Sequence, residues 1–371
     1  MKALDLRAKI PALQDGLYLN FGAHGPSPRP VVEAAESFLR THDYEVPIAG
    51  DPYEAAYDTF DRARETVAEH IGCSPDAVAL TESTTNGLNA IAGAISWQPG
   101  DVVVHTDLEH PAGILPWQRL EAAGVERRVV ETRAGRLDPS QFADVISDAK
   151  LACFSALTWT HGTRLPVEEL VEITHEAGAY ALVDAVQLPG QTSVDVTEWG
   201  ADAVAASGQK WLLGLWGGGF LYVDPSRIDE FEPGTVGYRS VTSAPGKPMQ
   251  FHRDARRFEV ASTNPAPHHA LARAIEEIEA VGIDDIESRI VSLVERLRDG
   301  IPREQYLSPN DPESGLVTLD ADDPAATVKR CRKEGIVIRE LPYPDAVRLS
   351  IHAVNTTEEI DRVIDILNQE W

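Results

Sequence analysis

Cysteine is scarce in this chain and scattered. Cys73, Cys153 and Cys331 stand far apart with no Cys-x-x-Cys pair among them, which argues against a disulfide framework or a zinc site and for a reducing compartment. No metal ligand set is expected. Lysine is also sparse, occurring only at Lys2, Lys9, Lys150, Lys210, Lys247, Lys329 and Lys333. Positive charge of any kind is short, with 33 basic residues against 59 acidic ones and a formal net charge of −26. Such a surface repels nucleic acid and anionic membranes, so neither is expected as a partner. The acid excess reads as a solubility device suited to a salt-rich cytoplasm. No apolar run approaches the roughly 18 residues that a membrane span needs, and residues 1–16 lack the apolar stretch of a signal peptide. A soluble, cytoplasmic protein is the expectation.

What is present is enough apolar residue, 43% of 371, to bury a large core and divide into two domains. Helical spacing covers 27–46 and 52–72. Short apolar strands then alternate with helices: strands at 77–80, 101–105, 126–131, 151–157, 179–183 and 203–206, with helices opening near 84 and over 113–123, 139–147 and 166–177. That alternation predicts a parallel sheet wrapped by helices. Residues 220–223 add an antiparallel strand. From about 265 the pattern changes to helices over 266–281 and 285–299, strands near 314–319, 335–339 and 346–351, and a helix over 357–369. The expected fold class is α/β, a large domain with a mostly parallel seven-stranded sheet over 16–255. A smaller α+β domain would take 256–371 together with 1–15.

Lys210 follows the last parallel strand, and Asp184 ends the strand before it. One lysine near a strand end is usually a solvated charge, and one Asp after Ala-Leu-Val often caps a turn. Together they are the pair that pyridoxal phosphate asks for: an amine for a Schiff base and a carboxylate that keeps the pyridine nitrogen protonated. Other strand-to-helix loops bring further candidates to the same edge of the sheet. Ser83-Thr84-Thr85-Asn86 opens a helix, where free N–H groups and hydroxyls suit a phosphate, although an ordinary Ser cap has the same pattern. His110 sits where an imidazole stacks on a flat ring or shuttles a proton. Gln187 is placed to reach a phenolic oxygen, and Ser207 and Gln209 flank Lys210 within reach of phosphate oxygens. The Gly-rich run 214–219 precedes a strand rather than a helix, so a dinucleotide fingerprint fails there.

These stretches, with Tyr18-Leu19-Asn20, Leu115-Pro116-Trp117-Gln118, Arg257-Phe258-Glu259 and the segment from Arg348, resemble the class V aminotransferase family of pyridoxal-phosphate enzymes. That family includes cysteine desulfurases, isopenicillin epimerase-like proteins and C–S lyases. The resemblance spans nearly the whole chain. It implies the fold-type-I architecture, an amino-acid substrate and a homodimer with the active site at the subunit interface. It also implies roles: Lys210 as the Schiff-base lysine, Asp184 as the pyridine partner, Gln187 on the phenolic oxygen and His110 stacked on the ring. Thr84, Thr85 and Ser207 match phosphate contacts. Ser262 falls where the family uses a Thr from the second subunit, and Arg348 matches the arginine that grips the substrate α-carboxylate. Asn20 and His24 belong to an opening segment like that of C–S lyases and epimerases and are candidates for the substrate pocket. Trp159, Tyr238 and Arg239 are candidates for shaping its substrate side.

Three departures bear on the reaction. Gln209 stands where the family has His, and Trp159 stands where desulfurases place Asn. Between Arg339 and Arg348 there is no cysteine, where desulfurases hold their persulfide-forming thiolate. Cys331 falls in a helix and reads as a packed residue. The expectation is an aminotransferase or C–S lyase, with cysteine desulfurase, selenocysteine lyase-like sulfur transfer or epimerisation as alternatives.

Overall fold

The computed structural model describes residues 1–369. Its main sheet has seven strands. In chain order they are β2 (Val78–Thr81), β3 (Val102–Thr106), β4 (Glu126–Val130), β5 (Ala149–Ser155), β6 (Tyr180–Asp184), β7 (Ala203–Ser207) and β8 (Gly219–Val223); β1 (Leu17–Tyr18) lies outside this sheet. The spatial order is β2-β8-β7-β6-β5-β3-β4. Pairing is parallel from β7 through β6, β5 and β3 to β4, while β8 runs antiparallel to both of its neighbours. Alternate residues sort to opposite faces. Val102, Val104, Ala152, Phe154, Ala181 and Val183 join one buried cluster, and Val103, Leu151, Cys153, Leu182, Ala205 and Leu221 join another. A sheet covered on both faces needs strands that are almost wholly apolar, as the inner strands are here, while the edge strand β4 carries Glu126, Arg127 and Arg128.

A second, three-stranded antiparallel sheet is formed by β9 (Leu316–Leu319), β11 (Arg339–Pro342) and β12 (Asp345–Ser350), with β12 central. β10 (Ile336–Val337) leaves that sheet to pair in parallel with β1. The expected strand near 335–339 is therefore two strands, one for each sheet, and β1 went unread because two residues carry no period. Other differences are local. The helix expected over 27–46 is Arg29–Arg40, followed by a π-helical turn, Thr41–Glu45, and a short helix, Val46–Ala49, with Pro47 inside it. Proline cannot donate to the preceding turn, which accounts for the break. The helix expected over 113–123 shrinks to Leu115–Leu120 between 3₁₀ turns, and Gly124 ends it at φ +85°. Among the described residues, no helix is long and apolar enough to cross a membrane.

The chain's first segment locks against the sheet edge where the parallel strands end. Gly25 N–H donates to the Gln209 carbonyl at 2.7 Å, and a Cβ on Gly25 would run into the Lys210 carbonyl oxygen. Only glycine permits that approach. Gly25→Ala should therefore lower stability by about 1–3 kcal/mol, the range for overpacking a close contact, as read from urea melting midpoints. An unchanged midpoint would mean that the two segments separate at no cost.

Candidate active site

β2, β3, β5, β6 and β7 all end on one edge, and there a cavity of about 720 Å³ opens. Carboxyl ends of parallel strands are where such sheets bind ligands, and the volume lies within the range of small-molecule sites. Asp184, the last residue of β6, is only 4% exposed. Its Oδ1 accepts the Val186 N–H at 3.0 Å. Burial pushes its carboxyl up, with that N–H and Lys210 opposing the shift. Lys210, just beyond β7, lines the same cavity. Burial pushes its amine down to about 8; Asp184 works against the shift, and Arg348 and Arg339 add to it. Both groups are thus drawn toward neutrality by the same loss of water, and a cation set beside Asp184 would restore its charge.

The helix Thr84–Ala94 begins at the cavity wall, its first turn capped by Ser83 Oγ, which accepts the Asn86 N–H at 3.2 Å. Thr84 Oγ1 lies 2.9 Å from Ser207 Oγ at the end of β7. Two hydroxyls from separate elements therefore meet at a helix N-terminus, with Thr85 exposed beside them in the cavity lining. Gln209 lines it too. Gln187 is 2% exposed; its Nε2 donates to the Gly22 carbonyl at 3.0 Å and its Oε1 accepts Trp211 Nε1 at 2.8 Å. One Nε2 hydrogen remains for a ligand.

His110 caps the turn Pro111–Gly113, its Nδ1 accepting the Ala112 N–H at 3.2 Å. That bond leaves the ring proton on Nε2. Burial, then the positive charges of Lys210, Arg339 and Arg348, push the imidazole down to about 4, so the ring is neutral at neutral pH. It meets Trp159 edge-to-face, with centroids 5.4 Å apart. Arg348 is fully buried; its Nη1 donates to the Trp159 carbonyl at 2.7 Å, while Nε and Nη2 have no hydrogen-bond partner. Burial, with Arg339 next, holds its guanidinium down to about 9.

Arg339 is the group that motif reading passed over. It pairs directly with Arg348 across the β11–β12 hairpin, lines the cavity and lies over the Trp159 ring at 5.8 Å. Among the described residues no carboxylate pairs with either arginine. Strand register was the available signal, because directly opposite residues on a hairpin project to the same face.

Several expected residues fall elsewhere. Asn20 does not line the cavity; it bridges to Ser350, and its carbonyl accepts the Ala23 and His24 N–H groups. It is a turn residue, while Gly22, Ala23 and His24 beyond it do reach the wall. His24 lies 5.7 Å from the Trp216 ring. Ser262 is exposed and outside this chain's cavity, its N–H donating to the Tyr238 hydroxyl at 2.7 Å; Thr263 and Asn264 line the wall instead. Arg239 points away, ion-paired with Glu259 at 2.6 Å over the Tyr57 and Phe60 rings, so it does not shape the pocket. Tyr238 also stays outside the lining. Cys331 is buried in the helix Pro324–Lys333, as its sequence position suggested. No cluster of three or more potential metal-ligating side chains occurs among the described residues.

The arrangement fits pyridoxal phosphate. An amine and a carboxylate share the cavity floor, two hydroxyls meet at a helix N-terminus, and a neutral imidazole stands by as a stacking surface. Comparison with known proteins agrees. The Aminotransferase class-V family model matches residues 17–363. A probable cysteine desulfurase from Methanothermobacter thermautotrophicus is 31% identical over 399 aligned positions, covering 100% of this chain and 98% of that protein. The apo structure of a cysteine desulfurase from Thermococcus onnurineus NA1 superposes with a TM-score of 0.91 at 27% identity, covering 98% of this chain and 97% of that one. The complex between the cystine C–S lyase C-DES and its reaction product cysteine persulfide gives a TM-score of 0.91 at 26% identity, covering 96% and 98%. Since the family match runs from the first strand into the last helix, this chain belongs to the aminotransferase class-V family.

Proposed function

We propose that this protein is a pyridoxal-phosphate-dependent C–S lyase acting by β-elimination on a sulfur-containing amino acid with two carboxylates. One observation carries the reading: the cavity that holds Lys210 and Asp184 also holds two arginines without carboxylate partners and no cysteine. A single α-carboxylate needs one bidentate guanidinium. The second arginine suits a second anion, and a disulfide-linked amino acid such as cystine supplies one beyond the bond to be cleaved. A sulfur-accepting thiolate has no candidate in the lining, which weighs against desulfuration by persulfide transfer.

When bound, pyridoxal phosphate supplies a carbonyl carbon for condensation with an amine and an electron-withdrawing ring that stabilises a carbanion. The protein's own groups do the rest. Thr84, Thr85 and Ser207 hold the phosphate, with Gln209 beside them. Asp184 would keep the ring nitrogen protonated, Gln187 Nε2 has a hydrogen free to donate to the phenolic oxygen, and neutral His110 would offer a stacking surface for the ring. Arg348 orients the α-carboxylate through its unpartnered Nε and Nη2 while Nη1 stays on the Trp159 carbonyl, and Arg339 takes the distal anion. Lys210 Nζ, its pKa held near 8 by burial, removes the α-proton, and the C–S bond breaks with its electron pair leaving on sulfur. With water added, cystine would give pyruvate, ammonia and cysteine persulfide, a redox-neutral balance.

A homodimer is part of the proposal. Ser262 is exposed and free of its own cavity, its N–H meeting the Tyr238 hydroxyl, and Trp216, Tyr238 and Met249 are 69%, 59% and 56% exposed. A partner subunit seated there would gain Ser262 as a phosphate contact. The reducing compartment suggested by unpaired thiols matches a cytoplasmic location.

Incubation of the cofactor-loaded protein with cystine, cysteine and dicarboxylic amino acids tests the reaction. Pyruvate and persulfide from cystine are expected; keto-acid exchange without pyruvate would make the protein a transaminase instead. Lys210→Ala should abolish both turnover and the cofactor's visible absorption band, and full turnover in that variant would exclude the lysine. Arg339→Ala should raise KM for cystine by an amount equivalent to about 2–5 kcal/mol, the cost of stranding a buried charge partner, and leave KM for cysteine near its original value. Equal losses on both substrates would deny Arg339 a distal role. Loading of the cofactor-free protein needs a neutral Lys210 amine, so its rate should climb with pH and level off above about 8, the value burial gives that amine. A rate still climbing toward pH 10, near the ordinary lysine value of about 10.4, would contradict the depressed pKa.

A further inference from the structure

Glu109 is a buried carboxylate that the chemistry above leaves unused. It is 3% exposed and precedes His110 in the loop after β3. Three donors converge on it. Thr106 Oγ1 donates to Oε1 at 2.6 Å, Ser155 N–H to Oε1 at 3.1 Å and Ser155 Oγ to Oε2 at 2.6 Å. Thr106 ends β3 and Ser155 ends β5, so one side chain fastens two strand ends. Ser155 is in turn the direct pairing partner of Asp184 on β6.

This places Glu109 between two parts of the cofactor site. On one side its own backbone leads into His110. On the other, Ser155 neighbours Asp184. A carboxylate that accepts three hydrogen bonds is favoured in its ionised form. Burial opposes this, as does the charge of Asp184, and the net result lies near 7. The groups facing it are accounted for: Asp184 from β6 is the one other carboxylate acting on it, the hydroxyls come from β3 and β5, and the Cys153 thiol from β5 is held well above its ordinary range and stays neutral. A positive ring nitrogen at Asp184 cancels that repulsion and favours the ionised Glu109.

We propose that Glu109 is a positioning residue that ties the His110 loop to the strand end beside Asp184 and adds a second negative charge at the ring-nitrogen end of the cofactor site. The inference rests on pyridoxal phosphate as cofactor and not on any choice of substrate. Two consequences are separable. The tie sets how far the stacking imidazole stands from the carboxylate beneath the ring nitrogen. The charge strengthens protonation at the ring and, through it, at Lys210 Nζ.

The test compares wild type, Glu109→Gln and Ser155→Ala, each purified free of cofactor and reloaded. Glu109→Gln keeps the volume and hydrogen-bonding shape and removes the charge outright; Ser155→Ala removes one tie and, by taking away a donor that favours the ionised carboxylate, weakens the charge only in part. Cofactor affinity is read from tryptophan fluorescence quenching, and the pH midpoint of the visible band from absorbance. Glu109→Gln should bind pyridoxal phosphate about tenfold more weakly and move the band midpoint about one unit lower, as loss of a nearby opposite charge does. Ser155→Ala should move the midpoint in the same direction but by clearly less. Wild-type affinity and midpoint in Glu109→Gln would overturn the proposal, and equal midpoint shifts in both variants would overturn the charge role. Cofactor binding by wild type, measured in the same series, checks the cofactor reading on its own.

Discussion

A carboxylate and an amine deprived of water at the same strand edge govern this molecule. Asp184 and Lys210 come from consecutive parallel strands, and β6 and β7 are bonded directly. Neither group gains from burial alone: the carboxyl is pushed up and the amine down. A site of this kind is held in place by everything packed beneath it, and it is completed by a ligand that brings a positive centre to one group and an electrophile to the other. The small residues of β7, Ala203-Val204-Ala205-Ala206-Ser207, let the helix Thr84–Ala94 lie close on the sheet; a Cβ on Gly87 would sit 3.0 Å from the Ala205 side chain. That closeness brings the Thr84 hydroxyl to Ser207.

Much of this is legible in the amino-acid sequence. Parallel strands announce themselves as short, wholly apolar runs, and the residues that follow each run fall at the ligand edge by topology. Lys210, Asp184, Gln187, Thr84, Thr85, Ser207, Gln209, His110, His24 and Arg348 all line the cavity or its walls. What escaped reading depended on contacts distant in sequence. Arg339 becomes significant only when the hairpin register sets it opposite Arg348. Asn20 looked like its cavity-lining neighbours, but a bridge to Ser350 turns it aside. Arg239, read as a pocket residue, is claimed by Glu259 and two aromatic rings.

The cationic end of the site has an unusual economy for so acidic a protein. Arg339 and Arg348 stand side by side around one indole, each near 6 Å from the Trp159 ring. Like charges in contact repel, and Arg339 lowers the affinity of Arg348 for a proton. Flat aromatic surface and the Trp159 carbonyl offset part of that cost. An acidic exterior repels distant anions, so selection of the proposed negative substrate would fall to this inner pair and not to long-range attraction.

The short parallel pair β1–β10 gives the second sheet a grip on the first. Leu19 accepts from Ser350 and donates to Val337, so the strand carrying Arg348 and the stretch running on to Gly22 are laced into one piece. Gln187, anchored beyond β6, holds the Gly22 carbonyl, and Gly25 is fastened behind Lys210. The arginine hairpin and the backbone behind the lysine are therefore joined by one continuous, hydrogen-bonded stretch of chain, Leu19 to Gly25.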